Sequence, residues 1–112
     1  MIKITIIKSN QNIMTIEATG HSGYAEEGSD IVCSAVSTLT ESLINGLEEV
    51  VGIHTKYVID EEIPHLSVSL PKDISPRQME DAQVLMRSTY LGLKNIADSY
   101  SQYINIKEKQ ND

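Results

Sequence analysis

The chain has 112 residues, a length that predicts one domain over residues 1–112. Hydrophobic residues make up 40% of it and charged residues 22%, which excludes disorder as the default state, and no apolar run is long enough for a transmembrane helix. Sixteen Asp and Glu against nine Lys and Arg leave a net charge of −7. Direct binding to nucleic acid is therefore disfavoured, and a basic protein partner is favoured.

The N-terminal quarter of the chain predicts a hairpin followed by a loop. Residues 2–8 and 13–19 alternate in hydropathy around a polar turn, as two paired strands do. The charged, alternating start does not resemble a signal peptide, and a single cysteine cannot form an internal disulfide, so we expect a cytoplasmic protein without a membrane anchor. Residues 20–29 have no hydrophobic period, which predicts a flexible loop. Its glycines are Gly20, Gly23 and Gly28.

A long helix follows the loop. Asp30 is a suitable N-cap, and apolar side chains then recur at helical spacing, which predicts a helix from residue 31 to about residue 51. Its inward positions are Val32, Val36, Leu39, Leu43, Leu47 and Val50. Asn45 and Gly46 lower the helical propensity locally, which leaves a break at that point as the alternative to a continuous helix.

The second half of the chain predicts another hairpin and another long helix. Residues 54–60 and 65–70 alternate on either side of an acidic turn. Ser75 as N-cap, Pro76 at the first helical position and Gln78 at the third are typical of a helix start closed by a capping box. The inward side chains of this helix are Met79, Ala82, Leu85, Met86, Leu93, Ile96 and Tyr100.

The predicted order of elements is ββαββα, with a short last strand over residues 103–106 and a polar tail over residues 107–112. Two hairpins and two long helices indicate an α/β fold of the two-layer α+β type. We expect a mostly antiparallel sheet of four to five strands with both helices on one face.

The candidate chemistry lies at the start of the first helix. Cys33 is the third residue after Asp30, where free backbone N–H groups and the positive end of the helix dipole favour a thiolate. His21 lies in the preceding loop, which is long enough to fold back over the helix end. A cysteine and a histidine so placed supply the nucleophile and the general base of a thiol protease. The N–H groups of the helix start could form the oxyanion hole.

Two further side chains are candidates for supporting roles. Ser37 lies four residues after Cys33 on the same helix face, so its hydroxyl could hold the sulfur or the imidazole in place. Asp30 could cap the helix with one carboxylate oxygen and orient His21 with the other. Glu26 and Glu27 would instead disfavour the thiolate if they packed against it.

The residues taken alone leave a structural interpretation open. A lone cysteine in an apolar helix is more often an inert core residue, and a lone histidine in a loop is usually exposed and idle. Cys33, the three histidines and the acidic pair Glu61 and Glu62 lack the spacing of a zinc site, so neither a metal nor another cofactor is expected.

Two segments of the chain resemble the signature of the ribosomal-processing cysteine proteases, the Prp family. They are Gly20-His21-Ser22-Gly23-Tyr24-Ala25 and Gly28-Ser29-Asp30-Ile31-Val32-Cys33-Ser34-Ala35-Val36-Ser37. The family pattern is Gly-His-Ala, a short gap containing glycine, and Asp-Ile-Val-Cys-Ala-Ala-Val-Ser. Ser22 and Ser34 stand where Ala is common, and neither departure removes a catalytic group. Length and element order extend the resemblance over nearly the whole chain.

The resemblance implies a cytoplasmic cysteine endopeptidase that acts as a homodimer. Its substrate would be the N-terminal extension of large-subunit ribosomal protein number twenty-seven, whose removal the ribosome needs in some bacteria. By the same resemblance Cys33 is the nucleophile, His21 is the base, Asp30 and Ser37 support them, and the loop glycines let the loop move. Because three glycines fall within nine residues that also carry His21, we expect residues 20–29 to act as a gate. The alternatives are a non-catalytic, ribosome-associated peptide-binding module and a structural dimerisation domain.

Overall fold

The structure, a computed structural model, describes residues 1–26, 30–62 and 64–111. Its strands are β1 (Ile2–Ser9), β2 (Asn12–Thr19), β3 (Lys56–Asp60), β4 (His65–Ser69) and β5 (Ile104–Gln110). Its helices are α1 (Ile31–Asn45), which continues into a π-helical segment (Gly46–Val51), and α2 (Pro76–Ser99). The predicted element order and the two-layer α+β class are confirmed.

The five strands form one mixed sheet in the order β3-β4-β2-β1-β5. Three neighbouring pairs are antiparallel, and β1 and β5 are parallel. The sheet is therefore mostly antiparallel, as predicted, and the parallel pair follows because α2 carries the chain across the sheet before β5 begins. β3 and β5 are the two outer strands.

One face of the sheet carries the hydrophobic core. Ile2, Ile4 and Ile6 of β1 are buried, and the register places Ile4 beside Ala18 and Ile16 beside Val68 on the same face. Both helices pack apolar side chains against this face, although Ile31, Val84 and Leu91 are exposed. The predicted inward position of Val50 is wrong, because this side chain is exposed. The fully buried residues include Ile4, Ile6, Ile16, Val32, Leu47, Val68, Met86 and Leu93. In the described residues no helix is both long and apolar enough to cross a bilayer.

The first helix changes type where the sequence predicted a weak point. α1 ends at Asn45, and the chain winds on as a π-helical segment from Gly46 to Val51. A Cβ atom at Gly46 would lie 3.0 Å from Leu85 of α2, so glycine permits the two helices to approach closely here. Gly52, with φ of 82°, ends the segment. The chain thus stays helical to Val51, as predicted, and the weak point appears as a local widening of the helix.

The last strand is longer than the sequence predicted. The polar tail expected over residues 107–112 is wrong for most of its length, because β5 continues to Gln110 and pairs with β1 through Lys107 beside Thr5 and Lys109 beside Ile7. Backbone hydrogen bonds to β1 hold these residues, and their side chains remain exposed. An exposed outer strand needs no hydrophobic alternation, so its sequence resembles a solvated tail.

Side-chain hydrogen bonds fix the starts of β3 and α2. β3 begins at Lys56, two residues later than predicted, because the Thr55 backbone N–H and hydroxyl donate to the Glu48 carboxylate at 2.6 and 2.7 Å. α2 begins as predicted. The Ser75 hydroxyl accepts from the Gln78 N–H at 3.1 Å, and the Gln78 side chain accepts from the Ser75 N–H at 3.0 Å.

Candidate active site

Asp30 organises the first turn of α1. Its Oδ1 accepts hydrogen bonds from the backbone N–H groups of Val32 and Cys33, each at 3.0 Å, which caps the helix as predicted. The carboxylate is buried, with 5% of the residue exposed. Cys33 therefore lies in the first turn, half-buried, and packs at the margin of the core.

Ser22 joins the loop to this helix start. Its backbone N–H lies 3.4 Å from the Cys33 Sγ, and its buried hydroxyl donates to Oδ2 of Asp30 in a short hydrogen bond. The same hydroxyl accepts from the Tyr24 N–H at 3.0 Å. The sequence does not predict this role of Ser22, because no local pattern connects a serine in a glycine-rich loop with the N-cap of a helix eight residues later.

The bonding of Asp30 changes two expectations for the site. Oδ2 receives the Ser22 hydroxyl, so among the described residues Asp30 does not orient His21. The N–H groups of Val32 and Cys33 donate to Oδ1, so these two groups are not free to form the oxyanion hole that the helix start predicts. Capping and oxyanion binding compete for the same donors, and here the cap holds them.

Hydrogen bonding keeps the Asp30 carboxyl ionised despite its burial. Burial acts to raise its pKa, but hydrogen bonds from the Ser22 hydroxyl, from the backbone and thiol of Cys33 and from the Val32 N–H act together in the other direction. The pKa of Asp30 consequently falls below its ordinary value. A buried negative charge therefore anchors both the loop and the helix at neutral pH.

His21 and Cys33 border the same open cleft, which has a volume of about 480 Å³. The cleft runs between the start of α1 and the ends of β3 and β4, and its walls also include Ser37, Glu41, Ile59, Asp60, Glu61 and Pro64. The His21 ring is exposed, and none of the described residues makes a hydrogen bond to it. The structure thus brings the predicted nucleophile and base to one cleft.

The other two histidines point elsewhere. His65 begins β4 and borders the cleft, but the next residue, Leu66, faces the core beside Ala18, so the His65 side chain is directed to the opposite face of the sheet. There its Nε2 lies 3.2 Å from Glu17. The imidazole of His54 is fully exposed, 3.8 Å from Glu48. His21 is therefore the histidine suited to act on Cys33.

Two loop glycines are required by their geometry. Gly20 has φ of 88°, its N–H donates to the Pro64 carbonyl at 3.0 Å, and a Cβ atom there would lie 2.7 Å from the Met1 carbonyl oxygen. Gly23 has φ of 76°, a conformation that side chains disfavour. Gly28 lies outside the described residues. The sequence predicts that the glycines make the loop flexible. In the structure Gly20 and Gly23 adopt positive φ angles, and these turns position His21 and Ser22.

Contacts hold the described part of the loop at several points. Besides the bonds of Gly20 and Ser22, the Tyr24 ring packs edge-on against Tyr100 and Tyr103, with centroid distances of 5.6 and 5.2 Å. The predicted flexibility of the loop remains a prediction, and a gating movement of residues 20–26 would have to break these contacts. Glu26 is exposed, and Glu27 lies outside the described residues.

Ser37 lines the cleft one turn beyond Cys33 and is half-buried. No described hydrogen bond joins its hydroxyl to the sulfur or to the His21 ring, so its supporting role remains a prediction. Within residues 1–26, 30–62 and 64–111, no three side chains of His, Cys, Asp or Glu cluster as a metal site would require.

A sequence comparison decides the family of this chain. The profile of the family described as Cysteine protease Prp matches residues 1–105. The chain belongs to the cysteine protease Prp family. The resemblance found in the two loop and helix segments is thereby confirmed, and so is the predicted class of enzyme, a cysteine peptidase.

Individual Prp proteins match over their full length. The chain is 27% identical over 107 residues to the Ribosomal processing cysteine protease Prp of Bacillus subtilis, covering 95% of this chain and 96% of that protein. It is 28% identical over 114 residues to the protein of the same name from Mycoplasma pneumoniae, covering 100% and 99%.

Solved structures share the fold. A Streptococcus mutans protein superposes with a TM-score of 0.85 at 32% identity, covering 99% of this chain and 96% of that one. The ribosomal processing protease Prp from S. aureus, in complex with a covalently linked product peptide, superposes with a TM-score of 0.86 at 20% identity, covering 97% and 100%. The latter likeness supports the two-layer architecture of this Prp family member.

Proposed function

We propose that the chain is an endopeptidase with Cys33 as nucleophile and His21 as general base, which removes the N-terminal extension of large-subunit ribosomal protein twenty-seven. We propose further that it works in the cytoplasm as a homodimer and does not bind nucleic acid directly. The observation that carries the proposal is the position of Cys33 and His21 on one cleft. The names of the Bacillus and Mycoplasma relatives support the link to ribosomal processing.

The reaction on this site is an acyl transfer in two steps. His21 takes the thiol proton of Cys33, and the sulfur attacks the carbonyl carbon of the scissile peptide bond. His21 then gives that proton to the leaving amine, which departs as the new N-terminus and leaves a thioester on Cys33. Water, deprotonated by His21, hydrolyses the thioester and restores the free thiol.

The donor that best fits the developing oxyanion is the Ser22 backbone N–H. It lies 3.4 Å from the Cys33 Sγ, next to the point where the carbonyl carbon must bind. The N–H groups of Val32 and Cys33 are held by Asp30, so they do not compete for this role. Ser22 thus stabilises the sulfur before the attack and lies beside the oxyanion after it.

The charge of the cleft suits a basic substrate. Glu41, Asp60 and Glu61 line its walls, and the whole chain carries a net charge of −7. Ribosomal proteins are typically basic because they bind RNA. Electrostatic attraction between the acidic cleft and a basic substrate would therefore raise the association rate. This attraction should weaken as salt is added.

The direct test is incubation of the purified protein with the precursor of that ribosomal protein, followed by mass measurement of both components. We expect the precursor to lose a fragment from its N-terminus, with a single cleavage site. The mature ribosomal protein, which lacks the extension, is the matched control and should remain uncut. Binding of the precursor without any loss of mass would contradict the proposal and support the peptide-binding module instead.

A further inference from the structure

The short stretch from Ser22 to Tyr24 is attached to the rest of the molecule on both sides. On the inner side the Ser22 hydroxyl binds the buried carboxylate of Asp30. On the outer side the Tyr24 ring packs against two tyrosines that follow the end of α2. The inner attachment belongs to the cap of α1, whereas the outer one connects the loop to the opposite end of the chain.

The two tyrosines that receive the Tyr24 ring are held by their own backbone. Both are half-buried. The Tyr100 N–H donates to the Ile96 carbonyl at 2.9 Å, and the Tyr103 N–H donates to the Tyr100 carbonyl at 2.8 Å. The Tyr103 carbonyl in turn accepts from the Ile2 N–H at 2.9 Å. The turn between α2 and β5 is therefore tied to a helix and to the first strand, so it offers the Tyr24 ring a fixed surface.

The Tyr24 ring contributes a specific contact more than it contributes to the core. Its interplanar angles are 86° with Tyr100 and 76° with Tyr103, and edge-on packing of this kind is a preferred arrangement of aromatic pairs. The residue is nevertheless 42% exposed. Removing the ring should therefore release the loop while leaving the hydrophobic core in place.

One residue separates Tyr24 from the backbone group that faces Cys33. The Ser22 N–H lies 3.4 Å from the Cys33 Sγ, and the Tyr24 N–H donates to the Ser22 hydroxyl oxygen at 3.0 Å. Gly23 lies between them with φ of 76°, and glycine alone allows the backbone many other conformations. An anchor directly after this glycine therefore restricts the direction in which the Ser22 N–H points.

We propose that Tyr24 is a positioning residue for peptide cleavage, because its ring, held by Tyr100 and Tyr103, keeps the Ser22 N–H directed at the oxyanion. A hydrogen-bond donor stabilises a developing charge best when it is oriented beforehand. The Ser22 hydroxyl and the Tyr24 ring are separate tethers, so the N–H stays in place when the hydroxyl alone is removed. The catalytic consequence rests on the proposed function, whereas the orientation of the N–H by the ring does not.

The kinetic test compares Tyr24→Ala with Tyr24→Phe. The oxyanion forms only in the transition state, so a misdirected donor should lower kcat for the precursor about tenfold and change KM little. Tyr24→Phe retains the ring and should keep the wild-type kcat. Tyr90→Ala is the matched control and should keep it too, since this ring packs near Lys8 and Lys94, away from the cleft. Unchanged kcat in Tyr24→Ala would overturn the proposal, and an equal loss in Tyr24→Phe would assign the effect to the hydroxyl instead.

Tyr103→Leu tests the same contact from its other side. Leu keeps an apolar side chain at this half-buried position and removes the ring. The variant should lower kcat in the same way, and the double variant with Tyr24→Ala should lose no more than Tyr24→Ala alone, because both changes remove one shared contact. Losses that multiply in the double variant would contradict the proposal. Denaturant unfolding of each variant gives the folded fraction, so that every kcat is expressed per folded molecule.

Amide exchange at Ser22, measured by NMR, tests the positioning without any substrate. The Ser22 N–H should exchange severalfold faster in Tyr24→Ala than in the wild-type chain, and at the wild-type rate in Tyr24→Phe and Tyr90→Ala. Equal exchange in Tyr24→Ala and wild type would refute the orientation of this group by the ring. Faster exchange in Tyr24→Ala together with a wild-type chain that leaves the precursor intact would contradict the proposed function and leave the positioning supported.

Discussion

The two long helices begin with similar capping residues in different surroundings. At α2 the Ser75 cap is exposed and is closed by Gln78 three residues later. At α1 the Asp30 cap is buried, binds the Ser22 hydroxyl and holds the turn that carries Cys33. The first cap only begins a helix, whereas the second also fixes a loop against Cys33. What packs over a helix start, more than the cap itself, therefore distinguishes a functional end from a structural one.

The largest effect expected at the α1 end comes from His21. His21→Ala removes the proposed general base, and a general base typically contributes about two orders of magnitude or more to the rate. Precursor cleavage should fall by at least this factor while the free energy of unfolding stays unchanged, because the ring is exposed. His54→Ala, on a fully exposed ring away from the cleft, is the matched control and should cleave normally. Equal rates in the two variants would assign the base to another group.

Removing each cap tests the contrast directly. Ser75→Ala should cost about 1 kcal/mol of stability, the usual value for a lost N-cap, without affecting cleavage per folded molecule. Asp30→Ala should cost more, because it also leaves the buried Ser22 hydroxyl without its acceptor, and it should reduce cleavage as the first turn loosens around Cys33. Denaturant unfolding and initial rates measure both. If Asp30→Ala lowers stability alone, Asp30 is only a cap.

The loop side of this contact is tested by Ser22→Ala. The variant removes a hydrogen bond to a buried carboxylate, which should lower the free energy of unfolding by about 1.5–3 kcal/mol. The backbone N–H that faces the Cys33 sulfur remains, and Ala is common at this position in the family pattern, so cleavage per folded molecule should persist. Ser34→Ala, the other such departure, should change neither quantity. Loss of activity in Ser22→Ala would mean that the hydroxyl itself takes part in catalysis.

The smallest effect expected is in the pH dependence of stability. Hydrogen bonds hold the pKa of Asp30 below the ordinary value of 3.8, so its contribution to stability is complete above that value. As the pH falls below 3.8, the unfolded chain takes up the proton first, and the contribution is lost by the time the pH has passed the lower pKa of the folded state. The difference in unfolding free energy between wild type and Asp30→Asn should therefore shrink in acid. The difference in unfolding free energy between wild type and Ser75→Ala, measured by denaturant unfolding, should be the same at neutral pH and in acid.

Local patterns were enough to predict most of the fold. The alternation of β1 and the capping box of α2 are signals within a few residues, and both predictions are confirmed. The sequence predicts an end of β5 at residue 106 because the charged half of the strand resembles a solvated tail, although it pairs with a strand about a hundred residues away. Hydrophobic alternation arises where one face of a strand is buried, so an exposed outer strand shows little of it and is hard to predict from the sequence.

Cys33 and His21 were found from their chemistry and their place near a helix start. The contacts that arrange them were not, because they join residues that no short pattern connects. Gly20 is required by its approach to the Met1 carbonyl, and Tyr24 is held by Tyr100 and Tyr103 from the far end of the chain. A sequence can thus indicate candidate reactive groups more readily than the contacts that position them.

The measurement that tests the central claim most directly compares Cys33→Ala and Ser34→Ala in precursor cleavage followed by mass. Both substitutions fall in the first turn of α1 and remove one heavy atom from a small side chain, so both retain the helix start that Asp30 caps. Cys33→Ala should bind the precursor and release no fragment, and Ser34→Ala should cleave at the wild-type rate. Continued removal of the extension by Cys33→Ala would contradict the assignment of Cys33 as the nucleophile.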